Sequence, residues 1–505
     1  MNKSSNHNFC IILNSTLQSP NPNRALTSLN SNNFPIESLF IRYFPLNEAP
    51  TSNDSGLLSF LNSTTKSDWI VVIDECCEIN FAAISNFVDN PPQTNCALFY
   101  SDELASEIDK KNIVTPVFKP KWSPHLAINF PYYGPFLIFK KSKFPLFSNN
   151  NIDFLSLASY LTDHQIGHIS EPLYIAHYSK KNFGNTNIPK IPSFINFDSS
   201  VLSFINSRYP NGEFNFSQFS KNQPDSKNST PTKFAPLVSI IIPTRDKVDL
   251  LKACIDSIFQ NTSFNNYEII IIDNNSIEEA TSTYFGDISK FINIKIIKAE
   301  FEFNWSKVNN LGASNSSGEF LIFLNNDTIV ISSDWISQLC SFASLPDVAV
   351  VGPLLLFPDN TIQHAGVVVG MGGWADHVYK CSTPSAELPS IFIPSLMTRN
   401  VLAVTGACLT IQKFKFLELG LFDEEFIVCG SDVEICIRAH KLGYFNIYTP
   451  NAKLYHLESK TRSTFVPEKD FIQSDLKYRP YRIEQTDPYY NKNLSIKSNY
   501  PIANY

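Results

Sequence analysis

Short apolar runs that stop at a cluster of polar residues recur along this chain. The clearest is Phe320 to Ile331, FLIFLNNDTIVI, where the run breaks at Asn325-Asn326-Asp327 and then resumes. Unbroken runs of this kind, bounded by polar clusters, read as buried strands of a parallel sheet. Leu237 to Pro243 (LVSIIIP) is another, followed by Thr244-Arg245-Asp246, and Glu268 to Ile272 (EIIII) a third, followed by Asp273-Asn274-Asn275-Ser276. Between them, Leu250 to Phe259 places apolar residues at 250, 251, 254, 255, 258 and 259, the spacing of an amphipathic helix. A helix from about Glu278, a strand over Ile294 to Ile297 and a helix beginning at Val308 to Ala313 continue the alternation. Right-handed crossovers make such strands parallel and gather their ends on one edge. That edge is where a doubly wound α/β sheet binds its ligand.

Farther on, Thr405-Gly406-Ala407-Cys408 lies between Val401 to Val404 and the strand Leu409 to Ile411. Its small residues admit a close approach, of a ligand or of a neighbouring strand. Gly420 to Glu424 reads as a turn, Val433 to Leu442 as a helix that Asp432 could cap, and Phe445 to Tyr448 as a strand before Tyr455-His456.

The first half shows the same grammar less clearly. Phe9 to Leu13, Leu39 to Phe44, Trp69 to Ile73, Ala97 to Tyr100, Phe136 to Phe139 and Leu173 to Ala176 are predicted strands, and Phe81 to Phe87 has helical spacing. Asn14 to Asn33, rich in Ser, Asn and Pro, reads as loop with one helical turn. Asp74-Glu75-Cys76-Cys77 and Asp102-Glu103 follow strands, an invitation to a metal site that solvent-facing acids and helix caps explain better. Gln223 to Pro236 (QPDSKNSTPTKFAP) is a predicted linker. The expected division is 1–185, a linker region 186–235, a second domain 236–465 and a tail 466–505 packing on it.

Composition narrows the function. The 505 residues suffice for two domains or more, and 43% hydrophobic with 17% charged residues is globular. A net charge of −7 lacks the basic footprint that nucleic-acid binding needs, although the total says nothing of a local patch facing a membrane. Of the ten cysteines, Cys254, Cys340, Cys408 and Cys436 sit in apolar runs, where reduced Cys acts as a small hydrophobe. No CxxC pair points to zinc or redox chemistry. Phe9 to Leu13 is too short for a signal peptide, and no run approaches the roughly 20 apolar residues of a membrane span. The expected setting is cytoplasmic and reducing. No GxGxxG follows the first strand of the second half, and no GxxxxGK[ST] occurs, which counts against dinucleotide and P-loop chemistry.

Transfer of a sugar from a nucleotide needs a hard divalent cation on the diphosphate, a base for the acceptor hydroxyl and a grip on the nucleoside. Asp327 suits the cation, with His456 as a further ligand better matched to Mn²⁺ than to Mg²⁺. Asp432 suits the base, and Asp246 and Asp273 the grip. Taken alone, Asp432 reads more readily as a helix cap than as a base, and His456, like His364, more readily as a hydrogen-bonded core histidine than as a ligand, while Asp273 could simply stabilise a turn.

From Leu237 to about Arg462 the sequence strongly resembles the family 2 glycosyltransferases, which have a GT-A fold and invert the anomeric centre. LVSIIIPTRD, EIIIIDNNS, FNWSKVNNLGA, GEFLIFLNNDTIV, PDNTIQHAGVVVG, AVTGACL, GLFDEEF, GSDVEICIRAHKLGY and YHLESKTR match it in order and spacing. The large bacterial transferases of O-antigen, capsule and rhamnan assembly are the most similar, and DPYYNKNLS resembles their tail. The resemblance implies two GT-A-like, Rossmann-like nucleotide-diphospho-sugar transferase domains in an α/β chain. It implies that Thr244, Asp246 and Asp273 contact the nucleotide, that Asn310, Asn325 and Asn326 help hold the donor, and that Asp327 and His456 hold Mg²⁺ or Mn²⁺. Asp432 would be the base and Glu434 would lie near the acceptor. Asn325 stands where the family has the first acid of its metal motif, and Ser431 replaces the usual neighbour of the base.

The first half resembles a worn copy. DWIVVIDEC overlays EFLIFLNND with Cys76 at the place of Asp327, and IESLFIR overlays YEIIIID with Arg42 at the place of Asp273; no counterpart of Asp432 is evident. A degenerate, non-catalytic domain is expected, against a second site built on Asp74 and Asp102. The implied donor is a UDP- or dTDP-sugar, and the implied acceptor a growing cell-surface polysaccharide or lipid-linked glycan at the inner face of the membrane, with peripheral association. The competing classes are a non-catalytic glycan- or nucleotide-binding pseudo-transferase and a nucleotidyltransferase, which would release pyrophosphate.

Overall fold

A computed structural model describes residues 9–504 apart from 17–23, 33, 35–37, 45–58, 62–67, 93–94, 108–112, 145–151, 179–196, 211–234, 389 and 458–465. The chain forms two compact units, Met1–Gly212 with Ala386–Pro394, and Glu213–Ser385 with Ser395–Tyr505. Both are mixed α/β, as the alternating pattern predicts.

In the first unit β1 (Phe9–Thr16), β2 (Leu39–Phe44), β3 (Trp69–Asp74), β4 (Cys77–Ile79), β5 (Leu98–Glu107), β6 (Val114–Val117), β7 (Phe136–Lys140) and β8 (Ile166–Tyr178) make one sheet. Its order is β2-β1-β3-β7-β5-β8-β4, with β6 beside β5. Alternate residues of its strands (Phe9, Ile11 and Leu13; Trp69, Val71 and Ile73) point into one buried cluster, as the two-residue pleat requires.

The second unit adds β9 (Val238–Thr244), β10 (Tyr267–Asp273), β11 (Ile294–Lys298), β12 (Phe320–Leu324), β13 (Thr328–Val330), β14 (Val348–Leu356), β15 (Ile362–His364), β16 (Val367–Val369), β17 (Ala375–His377), β18 (Arg399–Val401), β19 (Cys408–Gln412) and β20 (Phe445–His456). The main sheet runs β11-β10-β9-β12-β19-β14-β20-β13, with β15 beside β14 and β18 beside β20; β16 and β17 pair separately. Strands β11, β10, β9 and β12 are parallel, so the polar ends of β9, β10 and β12 share one edge.

The break inside FLIFLNNDTIVI has a topological meaning. After β12, in mid-sheet, the chain turns at Asn325-Asn326-Asp327, and β13 pairs antiparallel with β20 at the sheet's end. Thr328 thereby stands opposite His456.

With β11 and β18 set aside, the two sheets match strand for strand in order and sense. Strands β2-β1-β3-β7-β5-β8-β4 correspond to β10-β9-β12-β19-β14-β20-β13, and β6 on β5 to β15 on β14. Steps in both sheets run parallel, parallel, antiparallel, antiparallel, parallel, antiparallel. Counting across the ladders puts Cys76 at the place of Asp327 and Ala176, opposite Cys77, at the place of His456. It also corrects one expectation: Tyr43, paired with Ser15, takes the register of Asp273, paired with Thr244, so Arg42 is one residue short of that position.

Two more readings change. Arg24–Ser31 is a helix of 8 residues rather than one turn in a loop. Phe197–Arg208, inside the stretch read as linker, is also a helix, because Val201, Phe204 and Ile205 give it an apolar face that is buried. Most of QPDSKNSTPTKFAP lies outside the described residues. The tail, including the helix Glu468–Glu484, belongs to the second unit. Among the described residues no helix is long and apolar enough to cross a membrane.

Candidate active site

At the shared edge of the second unit lies a cavity of about 410 Å³. Thr244, Asn325, Asn326, Asp327, Asp432 and His456 all line it. Asn326 ties two strand ends together, its Nδ2 donating to Thr244 Oγ1 at 2.9 Å. Asp327 is 3% exposed, and its Oδ1 lies 3.1 Å from His456 Nε2. His456 Nδ1 is 2.7 Å from Gln363 Oε1, an acceptor, so Nδ1 carries a proton and, in the neutral ring, Nε2 offers a lone pair. Asn325 Nδ2 donates to that Nε2 at 3.2 Å. A carboxylate oxygen and an imidazole lone pair thus face one another.

Two such atoms repel unless a cation or a proton lies between them. Ligands about 2.1 Å from a small divalent cation stand about 3 Å apart at adjacent corners of an octahedron, so the pair fits two ligands of one metal. Among the described residues no group of three His, Cys, Asp or Glu could hold a metal. A metal here would complete its shell with substrate phosphates and water, as Mg²⁺ commonly does.

Asp432 belongs to the helix Ser431–Lys441, but it does not cap it. Gly430, with φ of 103°, is the N-cap, and Asp432 lies in the first turn. Its Oδ2 accepts from the Gly406 N–H at 2.7 Å and its Oδ1 from the Val433 N–H at 2.9 Å. The small-residue stretch Thr405-Gly406-Ala407 therefore serves a close approach: a Cβ at 406 would sit 2.6 Å from Trp305 Cζ2 and 3.3 Å from Asp432 Cβ. Gly406→Ala is expected to cost about 1–3 kcal/mol through overpacking, read as a lower midpoint in urea unfolding with an unchanged slope.

Four sequence candidates do not line the cavity. Asp246 Oδ1 accepts the N–H groups of Ile277 and Glu278 at 2.8 and 2.9 Å, and Asp273 Oδ1 accepts that of Ser276 at 3.0 Å. Both shape strand-end loops whose neighbours Arg245 and Asn274 do line the cavity. Asn310 is taken up by the distant turn around Phe422, accepting from Phe422 N and donating to Phe422 O and Glu424 Oε1. Glu434 is buried one turn below Arg438 and forms an ion pair with it.

Sequence reasoning missed Gln363, His377 and Lys380, which line the cavity together with the aromatics Phe303 and Trp305. Gln363 adjoined the His364 already singled out; His377 and Lys380 lie in a stretch without periodicity. His364 and His377 meet Nδ1 to Nδ1 at 2.9 Å, one donating to the other. Burial is the main cause that lowers both pKa values, that of His377 to about 4, so both are neutral at pH 7 and His377 offers the cavity a hydrogen bond rather than a charge.

The corresponding edge of the first unit is filled. Gly134 occupies the ladder place of Gly406, yet a Cβ there would meet Tyr174 Oη at 2.4 Å, Lys119 Nζ at 2.7 Å and Glu103 Oε2 at 2.9 Å. Lys119 donates to Glu103, Tyr174 and the Tyr133 carbonyl within 3.0 Å, all buried. Asp74 is 1% exposed, and burial pushes its pKa up to about 8, which keeps it protonated near neutrality. Asp102 is 0% exposed and accepts from Lys119 N and His168 Nε2. The helix before β8, as Ser431–Lys441 precedes β20, begins after Asp153, a cap that accepts from Ser156 and Ser200. An acid does stand there, then, but it is spent on local structure.

Residues 239–365 match the family described as Glycosyl transferase family 2. They are a family 2 glycosyltransferase domain. The chain is 33% identical over 425 residues to the O-antigen biosynthesis protein RfbC of Myxococcus xanthus, covering 80% of this chain and 32% of that protein. It is 37% identical over 280 residues to an uncharacterized protein of Sinorhizobium fredii, covering 53% of this chain and 30% of that one. The chain thus spans about a third of the length of these relatives. Among solved structures, GalNAc-T7 with UDP, GalNAc and Mn²⁺ shows a loose likeness, with 18% identity, a TM-score of 0.41 and half of each chain covered.

Proposed function

We propose that the second unit is a metal-dependent, inverting glycosyltransferase that moves a sugar from a UDP- or dTDP-sugar to a hydroxyl of a growing cell-surface polysaccharide or lipid-linked glycan. The observation that carries this reading is the meeting of the Asp327–His456 pair and Asp432 at one cavity inside a family 2 domain. Asp327 and His456 would hold Mg²⁺ or Mn²⁺. When bound, that cation supplies charge neutralisation for the departing nucleoside diphosphate. Arg245 and Lys380 bring two further cationic side chains to the same cavity. Thr244, Asn325 and Asn326 offer hydroxyl and amide groups to the donor, while Asp246 and Asp273 keep the neighbouring loops in shape. Asp432, oriented by the Gly406 N–H, would take the proton of the acceptor hydroxyl as it attacks the anomeric carbon. The similarity to an O-antigen biosynthesis protein supports a glycan acceptor at the bacterial envelope.

The first unit is then a degenerate transferase domain, its site closed by Lys119, Glu103 and Tyr174. Calorimetry of the full chain with UDP or dTDP and Mn²⁺ is expected to show one nucleotide site per chain. Two sites would restore the reading of a second active centre in the first unit.

A further inference from the structure

Asp470 is a carboxylate with no part in the chemistry above, yet it is 0% exposed. It lies in the first turn of the helix Glu468–Glu484. Its Oδ1 accepts the N–H of Ile427 at 2.7 Å, and its Oδ2 accepts those of Val428 and Cys429 at 2.8 and 3.0 Å. Three consecutive backbone donors converge on one carboxylate. An amide side chain could not reproduce this, because its nitrogen would set a donor against a donor. Tyr478, two turns along the same helix, donates its hydroxyl to the Gly430 carbonyl, and its ring stacks on Phe426 with centroids 6.3 Å apart. The carbonyls of the same loop are held from the other side, that of Ile427 by the Trp305 N–H at 2.7 Å and that of Phe426 by Ser306 Oγ at 3.1 Å.

This loop lines the cavity through Val428, Cys429 and Gly430, and it leads directly into Ser431 and Asp432. Its conformation sets where the helix starts, since Gly430 at φ of 103° is the cap and a Cβ there would strike Phe426 and Tyr478. Resting on the reading of Asp432 as base, we propose that Asp470 is a positioning residue: the tail helix clamps the 427–430 loop and so fixes Asp432 against the acceptor hydroxyl. The tail is thereby part of the active site's frame.

Asp470→Asn and Tyr478→Phe in the full chain, with Asp475→Asn as a control on the same helix, test this by amide hydrogen exchange and steady-state kinetics. Asp470→Asn is expected to deprotect the amides of 427–429 and to lower kcat about 10- to 100-fold, the scale on which misplaced catalytic groups act, with donor KM within about twofold. Tyr478→Phe, which removes one hydroxyl, is expected to lower kcat less, again without weakening nucleotide binding, and it serves if Asp470→Asn does not fold. Asp475→Asn is expected to leave kcat unchanged. Deprotected amides with wild-type kcat per folded chain, or a loss confined to KM, would overturn the proposal. Asp432→Asn run alongside separates the two readings. Wild-type turnover by Asp432→Asn would remove the base assignment; a dead Asp432→Asn beside fully active Asp470→Asn and Tyr478→Phe would overturn the clamp alone.

Discussion

Asp432→Asn is expected to lower kcat by about 10²- to 10⁴-fold, the usual contribution of a positioned general base, while leaving nucleotide and metal affinity near wild type. The amide keeps an oxygen to accept the Gly406 N–H, which Asp432 now takes at 2.7 Å, so the loop and helix should hold their shape. Lost with the carboxylate are its ability to receive a proton and the local bond from the Val433 N–H, which the amide nitrogen cannot accept. Stopped-flow or discontinuous assay of nucleoside diphosphate release, with calorimetry of the same preparation, separates kcat from binding. Turnover at the wild-type rate would end the assignment.

Asp327→Ala is expected to act on binding instead. Removing an outer partner of a metal ligand costs about 10- to 100-fold in metal affinity; removing one of the two proposed protein ligands should cost at least about 100-fold. The readout is Mn²⁺ electron paramagnetic resonance in the presence of UDP, where the wild type depletes the free-ion signal and the variant does not. Unfolding is not expected, since the remaining contacts of the strand end run through backbone groups and Asn326. An unchanged Mn²⁺ affinity would show that Asp327 and His456 share a proton rather than a metal.

How far the sequence carried this picture can be judged residue by residue. The strands were legible because each is an unbroken apolar run with a polar stop, and parallel pairing then brought Thr244 and Asn325 to one edge. The absence of a counterpart of Asp327 from the first half was legible as Cys76 in its place. What could not be read was side-chain direction and long-range pairing. Asn325 and His456 are 131 residues apart, and nothing local says that β13 leaves the middle of the sheet to pair with β20. Asn310 and Glu434 look polar and available in the sequence, but each is satisfied by a neighbour, the Phe422 turn and Arg438. Asp432 resembled a helix cap because an Asp before an apolar run usually is one; a glycine two residues earlier took that role and left the carboxylate to line the cavity. Asp470 gave no signal at all, since three backbone donors leave no trace in a sequence.

The central claim is that this cavity transfers a sugar and releases a nucleoside diphosphate. Phosphorus NMR of the full chain with a panel of UDP- and dTDP-sugars, Mn²⁺ and extracted lipid-linked glycan tests it most directly. The account predicts that one donor is converted to its nucleoside diphosphate by the wild type and not by Asp432→Asn. Release of pyrophosphate, or saturable nucleotide binding with no release from any donor, would contradict it.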